Sequence, residues 1–183
     1  ADHHGLEAER LIFGNGSDEV FSLLNQAYLS PGDNIVCGQY AFLAYRISAL
    51  ACGAEVKLAP EPAYRVEIDA LLAQVDARTK LVYVSNPSNP TGTWNTADEI
   101  RRLHEALPAH IILVIDEAYA EFARPGTPSA LTLLDRHPRL VVTRTMSKAF
   151  AFAGARVGYL AADAAVIDAL RLVRLPYHLS ALT

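Results

Sequence analysis

Short apolar runs alternate with segments of helical period along the whole chain. The runs predict strands at Leu11–Phe13, Asn34–Cys37, Glu55–Leu58, Leu81–Val84, Ile111–Ile115, Leu140–Thr143 and Val157–Ala161. The longer ones are apolar without alternation, as expected of strands covered by helices on both faces. Between them the pattern predicts helices over Asp18–Leu29, Phe42–Cys52, Ile68–Gln74, Thr96–Leu107 and Ala164–Leu175. In the fourth, Ile100, Leu103 and Leu107 recur at helical spacing, while Glu99, Arg101, Arg102 and Glu105 face water. Ser30-Pro31-Gly32-Asp33 and Ala59-Pro60-Glu61-Pro62 read as turns. Repeated strand–helix units of this kind predict one α/β domain over residues 1–183, three layers deep (α/β/α), around a mostly parallel seven-stranded sheet.

Composition narrows the function classes. Half of the 183 residues are hydrophobic, enough for one sizeable core. A net charge of −4, spread along the chain, argues against nucleic acid as a partner. No apolar run approaches the roughly 18–20 residues of a membrane helix. No charged-then-apolar leader is visible, so a cytoplasmic protein is expected. Cys37 and Cys52 match no metal or redox spacing and are expected to be reduced packing residues. His3, His4, His104, His110 and His137 show no ligand spacing either; they are expected on the surface or in loops, and no metal is expected. Tyr177 and His178 are expected to pack. The chain opens on alanine, and its only methionine is Met146, which suggests a piece of a longer protein.

The candidate chemistry gathers at strand ends. Lys148, one of three lysines, follows the run Leu140–Thr143 within Arg144-Thr145-Met146-Ser147-Lys148. A desolvated amine there would suit Schiff-base formation with an aldehyde. Asp116, thirty-two residues earlier, ends the run Ile111–Ile115 and could hold the ring nitrogen of such an aldehyde cofactor, although a strand-end aspartate can equally be a helix cap. Gly14-Asn15-Gly16-Ser17-Asp18-Glu19 opens the first helix. Its glycines and free N–H groups suit phosphate, with Asp18 and Glu19 turned away from the anion, though a plain capped helix would read the same. Asn86-Pro87-Ser88-Asn89-Pro90-Thr91-Gly92 follows another strand, and its two Asn-Pro steps force a rigid loop whose Asn89–Pro90 bond is expected to be cis. Arg156, eight residues after Lys148 and between Gly154 and Gly158, offers a guanidinium fork to phosphate.

Together, GNGSDE, NPSNPTG, DEAYAEF and RTMSKAFAFAGARVGY resemble the large domain of fold-type I pyridoxal-phosphate aminotransferases, and within them histidinol-phosphate aminotransferases. The resemblance covers essentially the whole chain but about half of a family member; the N-terminal segment and the C-terminal small domain would lie elsewhere. It implies pyridoxal 5′-phosphate as cofactor, with Lys148 as its Schiff-base partner and proton shuttle, and Asp116 on its ring nitrogen. Asn89 and Tyr119 would bind its 3′ oxygen. Gly16, Ser17 and Asp18 by backbone, with Thr145, Ser147 and Arg156 by side chain, would hold its phosphate. Phe42 would stack on the ring, where relatives often carry tyrosine. The implied reaction moves an amino group from L-histidinol phosphate to 2-oxoglutarate in a homodimer. Alternatives are an aromatic amino acid aminotransferase, a threonine-phosphate decarboxylase, or the cofactor-sensing domain of a transcription regulator.

Overall fold

The centre of the sheet is built from runs whose side chains are apolar on both faces. β4 (Thr79–Ser85), β5 (Ile112–Asp116) and β6 (Leu140–Thr145) are buried almost throughout. In the computed structural model, which describes residues 4–124, 127 and 129–181, they lie side by side and parallel. β2 (Asn34–Gly38) and β3 (Glu55–Ala59) extend the parallel sheet on one side. β7 (Val157–Ala161) and β1 (Leu11–Asn15) complete it on the other. The order is β1-β7-β6-β5-β4-β2-β3, with β7 antiparallel to both of its neighbours. All seven expected strands are present, and the mostly parallel α/β/α architecture holds.

Alternate residues of each strand feed two separate cores, which is why these strands read as uniformly apolar. Leu81 and Tyr83 join Ile35, Val114 and Leu160 against α1 (Ser17–Tyr28), α2 (Leu43–Ala51) and α5 (Ala164–Val173). Val82 and Val84 join Leu113, Ile115 and Val142 against α3 (Ile68–Gln74) and α4 (Ala97–Ala106). α4 starts at a capping box: Thr96 accepts from the Glu99 N–H, and Glu99 accepts from the Thr96 N–H.

Cys37 is buried and Cys52 half-buried, both as free thiols, and burial pushes the Cys37 thiol up to about 12. No helix among the described residues is long and apolar enough to cross a membrane.

Two expectations fail on this scaffold. His104 is not a surface residue. It is 6% exposed on the inner side of α4, beside Leu103, and its ring meets that of His137 at 4.4 Å. Tyr177 does not pack: it is fully exposed, while His178 beside it contacts the Phe13 carbonyl and accepts a bond from Asn15 Nδ2 through its own carbonyl. His3 lies outside the described residues.

Candidate active site

Because β4, β5 and β6 run parallel, their carboxyl ends open on one edge of the sheet, where Ser85 pairs with Asp116 and Asp116 with Thr143. A cavity of about 180 Å³ lies beyond that edge. Asp116, Tyr119, Asn89, Thr145, Ser147 and Lys148 line it from the three strand ends. Ser17, Asp18 and Phe42 line it from the starts of α1 and α2, and Arg156 from the start of β7. Every predicted site residue except Gly16 therefore contributes to one cavity, and Gly16 lies directly behind Arg156. A larger hollow of about 390 Å³, lined chiefly by Leu11, Phe13, Met146, Phe150 and Tyr159, collects only Thr145 of that set.

Asp116 is the last residue of β5, so its backbone still belongs to the ladder while its side chain reaches the cavity. It is 3% exposed. Three donors converge on the carboxylate: Tyr45 Oη–H on Oδ2 at 2.6 Å, and the Ala118 N–H and Thr143 Oγ1–H on Oδ1 at 3.1 and 3.2 Å. Burial raises its pKa to about 6, and the Tyr45 bond is the strongest influence pulling back toward the charged form.

Lys148 departs from expectation. It stands three residues past the end of β6, in a turn, and its side chain is exposed rather than desolvated. Its Nζ lies 5.4 Å from the centre of the Tyr119 ring, a cation–π contact. Lys148 thus occupies the rim, with Asp116 at the floor.

The anion end is built from glycine. Gly16 caps α1 with φ +79°, and a Cβ there would lie 2.4 Å from Arg156 Nη2. Arg156 itself adopts a left-handed backbone (φ 53°) and donates to the Asn15 carbonyl at 3.1 Å. Glu19 turns away, as expected, to accept from the Asn15 N–H at 2.6 Å. Asp18 does not: its carboxylate stays in the cavity wall, 3.4 Å from Arg156 Nη2, because the guanidinium attracts it. The loop carrying Asn89 is held by Ser85 Oγ, which accepts the Asn89 N–H, and by paired bonds between Asn86 and Asn95. Both Asn86–Pro87 and Asn89–Pro90 are cis.

Sequence reasoning missed two partners. Tyr45 looks like one more apolar position of α2, and only the fold carries it to an aspartate 71 residues away. Glu117, 3% exposed, takes two bonds from Arg144 (Nη2 at 2.7 Å, Nε at 3.0 Å) and further ones from Ser129 Oγ and the Ala130 N–H. This pair, buried at Glu117 and partly exposed at Arg144, ties the segment after β5 to β6. The signal was present, since DEAYAEF and RTMSK each place a charge inside an apolar run.

Similarity to known proteins agrees with this geometry. A family model described as aminotransferase class I and II matches residues 1–183. The chain is 49% identical over 181 residues to histidinol-phosphate aminotransferase 1 of Caulobacter vibrioides, covering 98% of this chain and 50% of that protein. It is 42% identical over 183 residues to histidinol-phosphate aminotransferase 2 of Pseudomonas aeruginosa, covering 100% of this chain and 50% of that one. The chain spans about half the length of the curated relatives it matches. The crystal structure of histidinol-phosphate aminotransferase from Sinorhizobium meliloti in complex with pyridoxal-5′-phosphate superposes with a TM-score of 0.94 at 28% identity, covering 100% of this chain and 50% of that one.

Proposed function

The chain belongs to the class I and II aminotransferases, and we propose that it is the pyridoxal-phosphate-binding large domain of an L-histidinol-phosphate:2-oxoglutarate aminotransferase. The N-terminal segment and small domain would lie in the rest of the polypeptide. The observation that carries this reading is the one cavity shared by Lys148, Asp116, Asn89, Tyr119 and Arg156, with Gly16 directly behind the guanidinium.

The residues fit the cofactor in three respects. Asp116 Oδ2 has one donor, Tyr45, and room for a second. Gly16 has no Cβ, which lets the Arg156 guanidinium pack against it beside the first amides of a twelve-residue helix. Phe42 places an aromatic ring in the cavity wall. When bound, pyridoxal phosphate supplies an aldehyde for the donor's amine and a ring that takes up the electron pair released at the donor's Cα.

The protein's own groups do the rest. Asp116 holds a proton on the ring nitrogen, which keeps the ring electron-deficient. Lys148 Nζ, reachable from outside, takes the proton from the donor Cα and returns it later in the cycle; a positioned acid–base of this kind contributes roughly 10²–10⁴ in rate. Asn89 and Tyr119 donate to the 3′ oxygen. The α1 N-terminus, Thr145, Ser147 and Arg156 anchor the phosphate. A homodimer and a cytoplasmic location belong to the same reading, as the family resemblance implies.

The test is transamination of 2-oxoglutarate by the full-length protein with histidinol phosphate and phenylalanine as competing donors. Preference for histidinol phosphate is expected. Faster turnover of phenylalanine overturns the substrate assignment, and no transfer from either overturns the activity.

A further inference from the structure

Tyr45 sits one turn after Phe42 in α2, entirely buried, yet it ends in a hydroxyl. Its ring is fixed from three sides. It stacks on Tyr83 at 4.7 Å with planes 12° apart. The rings of Phe21 and Phe42 meet it nearly at right angles, at 4.9 and 5.8 Å. Tyr83 is fixed in turn, its hydroxyl donating to Asn25 Oδ1 at 2.8 Å. A ring so enclosed cannot swing, so its hydroxyl points along one line, at Asp116 Oδ2.

Each carboxylate oxygen offers two lone pairs. Oδ1 spends both on the Ala118 N–H and the Thr143 hydroxyl. Oδ2 spends one on Tyr45. The lone pair left over belongs to the oxygen that Tyr45 holds.

We infer that Tyr45 is a positioning residue for Asp116: its phenol clamps Oδ2 so that the remaining lone pair faces the cavity and receives the cofactor's ring N–H. This rests on the proposed function, in which Asp116 faces that nitrogen. The clamp also favours the charged carboxylate against the burial that disfavours it. Burial holds the Tyr45 phenol itself well above its ordinary pKa, so it stays a donor throughout the working range. The titratable and charged groups facing the carboxyl are Tyr45 from α2, Glu117 next along the chain, and Asp18, Tyr119, Lys148 and Arg156 around the cavity.

Tyr45→Phe keeps the ring and removes the clamp. Two readouts apply to the full-length protein. Without cofactor, the Asp116 carboxyl, followed by carbon-13 NMR, should titrate about one pH unit higher than in the wild type. With pyridoxal phosphate, affinity should fall about tenfold. Tyr159→Phe, whose lost hydroxyl meets His4 and neither Tyr45 nor Asp116, should move neither. In an Asp116→Asn background, Tyr45→Phe should cost no further affinity; an equal loss there would reveal a packing role and overturn the inference. An unmoved Asp116 titration overturns it as well. If Tyr45→Phe does not fold, 3-fluorotyrosine at position 45, a stronger donor of nearly the same shape, should lower the titration, and no movement counts against the clamp. Failure of the underlying reading looks different: Asp116→Asn alone would leave cofactor binding unchanged.

Discussion

Gly158→Ala is the substitution whose cost the backbone geometry fixes most tightly. Gly158 lies mid-strand in β7, opposite Gly14 of β1 on one side and Thr145 of β6 on the other. A Cβ there would stand 2.4 Å from the Gly16 carbonyl carbon, 2.5 Å from the Ser17 N and 2.8 Å from the Gly16 carbonyl oxygen. Real Cβ atoms do not approach so closely, and every obstructing atom is backbone, so no side chain can swing aside. The first turn of α1 must therefore lift from the sheet. Overpacking of this kind costs about 1–3 kcal/mol. For a domain of this size that corresponds to a fall in melting temperature of about 2–12 °C. The same displacement moves the Gly16 and Ser17 amides away from Arg156, so affinity for pyridoxal phosphate should drop together with stability. The assay is a pair of measurements, thermal melting without cofactor and cofactor binding by fluorescence. Gly154→Ala is the comparison, because a Cβ at Gly154 would meet nothing within 4 Å and should change neither. If Gly158→Ala melts and binds like Gly154→Ala, the close approach of α1 to β7 is not what builds the cradle.

Three further outcomes follow from individual side chains. Borohydride treatment of the cofactor-loaded protein should fix the cofactor on the peptide containing Lys148, and Lys148→Ala should abolish that label; a labelled peptide elsewhere assigns the amine to another residue. The folded Asp116 carboxyl keeps its proton to about pH 6, whereas the unfolded one releases it near 3.8, so stability is lost as pH rises through that window. Asp116→Asn should therefore stabilise the cofactor-free protein by about 3 kcal/mol above pH 6 and by nothing near pH 3, as read by denaturant melts; a gain independent of pH contradicts the assignment. His104 buries two ring nitrogens that have no hydrogen-bond partner among the described residues. His104→Leu should stabilise by about 1–3 kcal/mol at neutral pH. Burial lowers the His104 pKa to about 4, so the unfolded state takes up a proton first and the wild type weakens between about pH 6.5 and 4. The variant should lose that acid sensitivity, and an unchanged acid limb points to a different group.

The architecture was legible because nearly every element keeps its own period. β5 and β6 are too apolar to be anything but central strands, and α4 carries its capping box in the open. The site residues were legible for a related reason: glycine, asparagine–proline, aspartate and lysine interrupt those runs where strands end. What escaped was pairing at a distance. Tyr45 and Glu117 look locally like one helix position and one strand-end acid, and their partners lie 71 and 27 residues away in sequence. His104 misled for the opposite reason. Its flanking charges read as a solvated face, but at position 104 the helix turns inward, one residue past Leu103.

The contrast between Asp116 and Lys148 shows where distance along the chain stops predicting burial. Both stand at or just past the end of an apolar strand, and Lys148 was expected to be desolvated. Asp116 is the final residue of β5, still hydrogen-bonded into the sheet and roofed by Tyr45. Lys148 is three residues beyond β6, after the chain has turned at Met146 to pair with Val157. A residue inside the ladder inherits the burial of the core; one past the turn inherits that of the rim. The two positions suit the two tasks in the proposed reaction. A carboxylate that holds one ring proton throughout the cycle gains from exclusion of water, which strengthens its attraction to that proton. An amine that must meet each incoming donor has to be reachable.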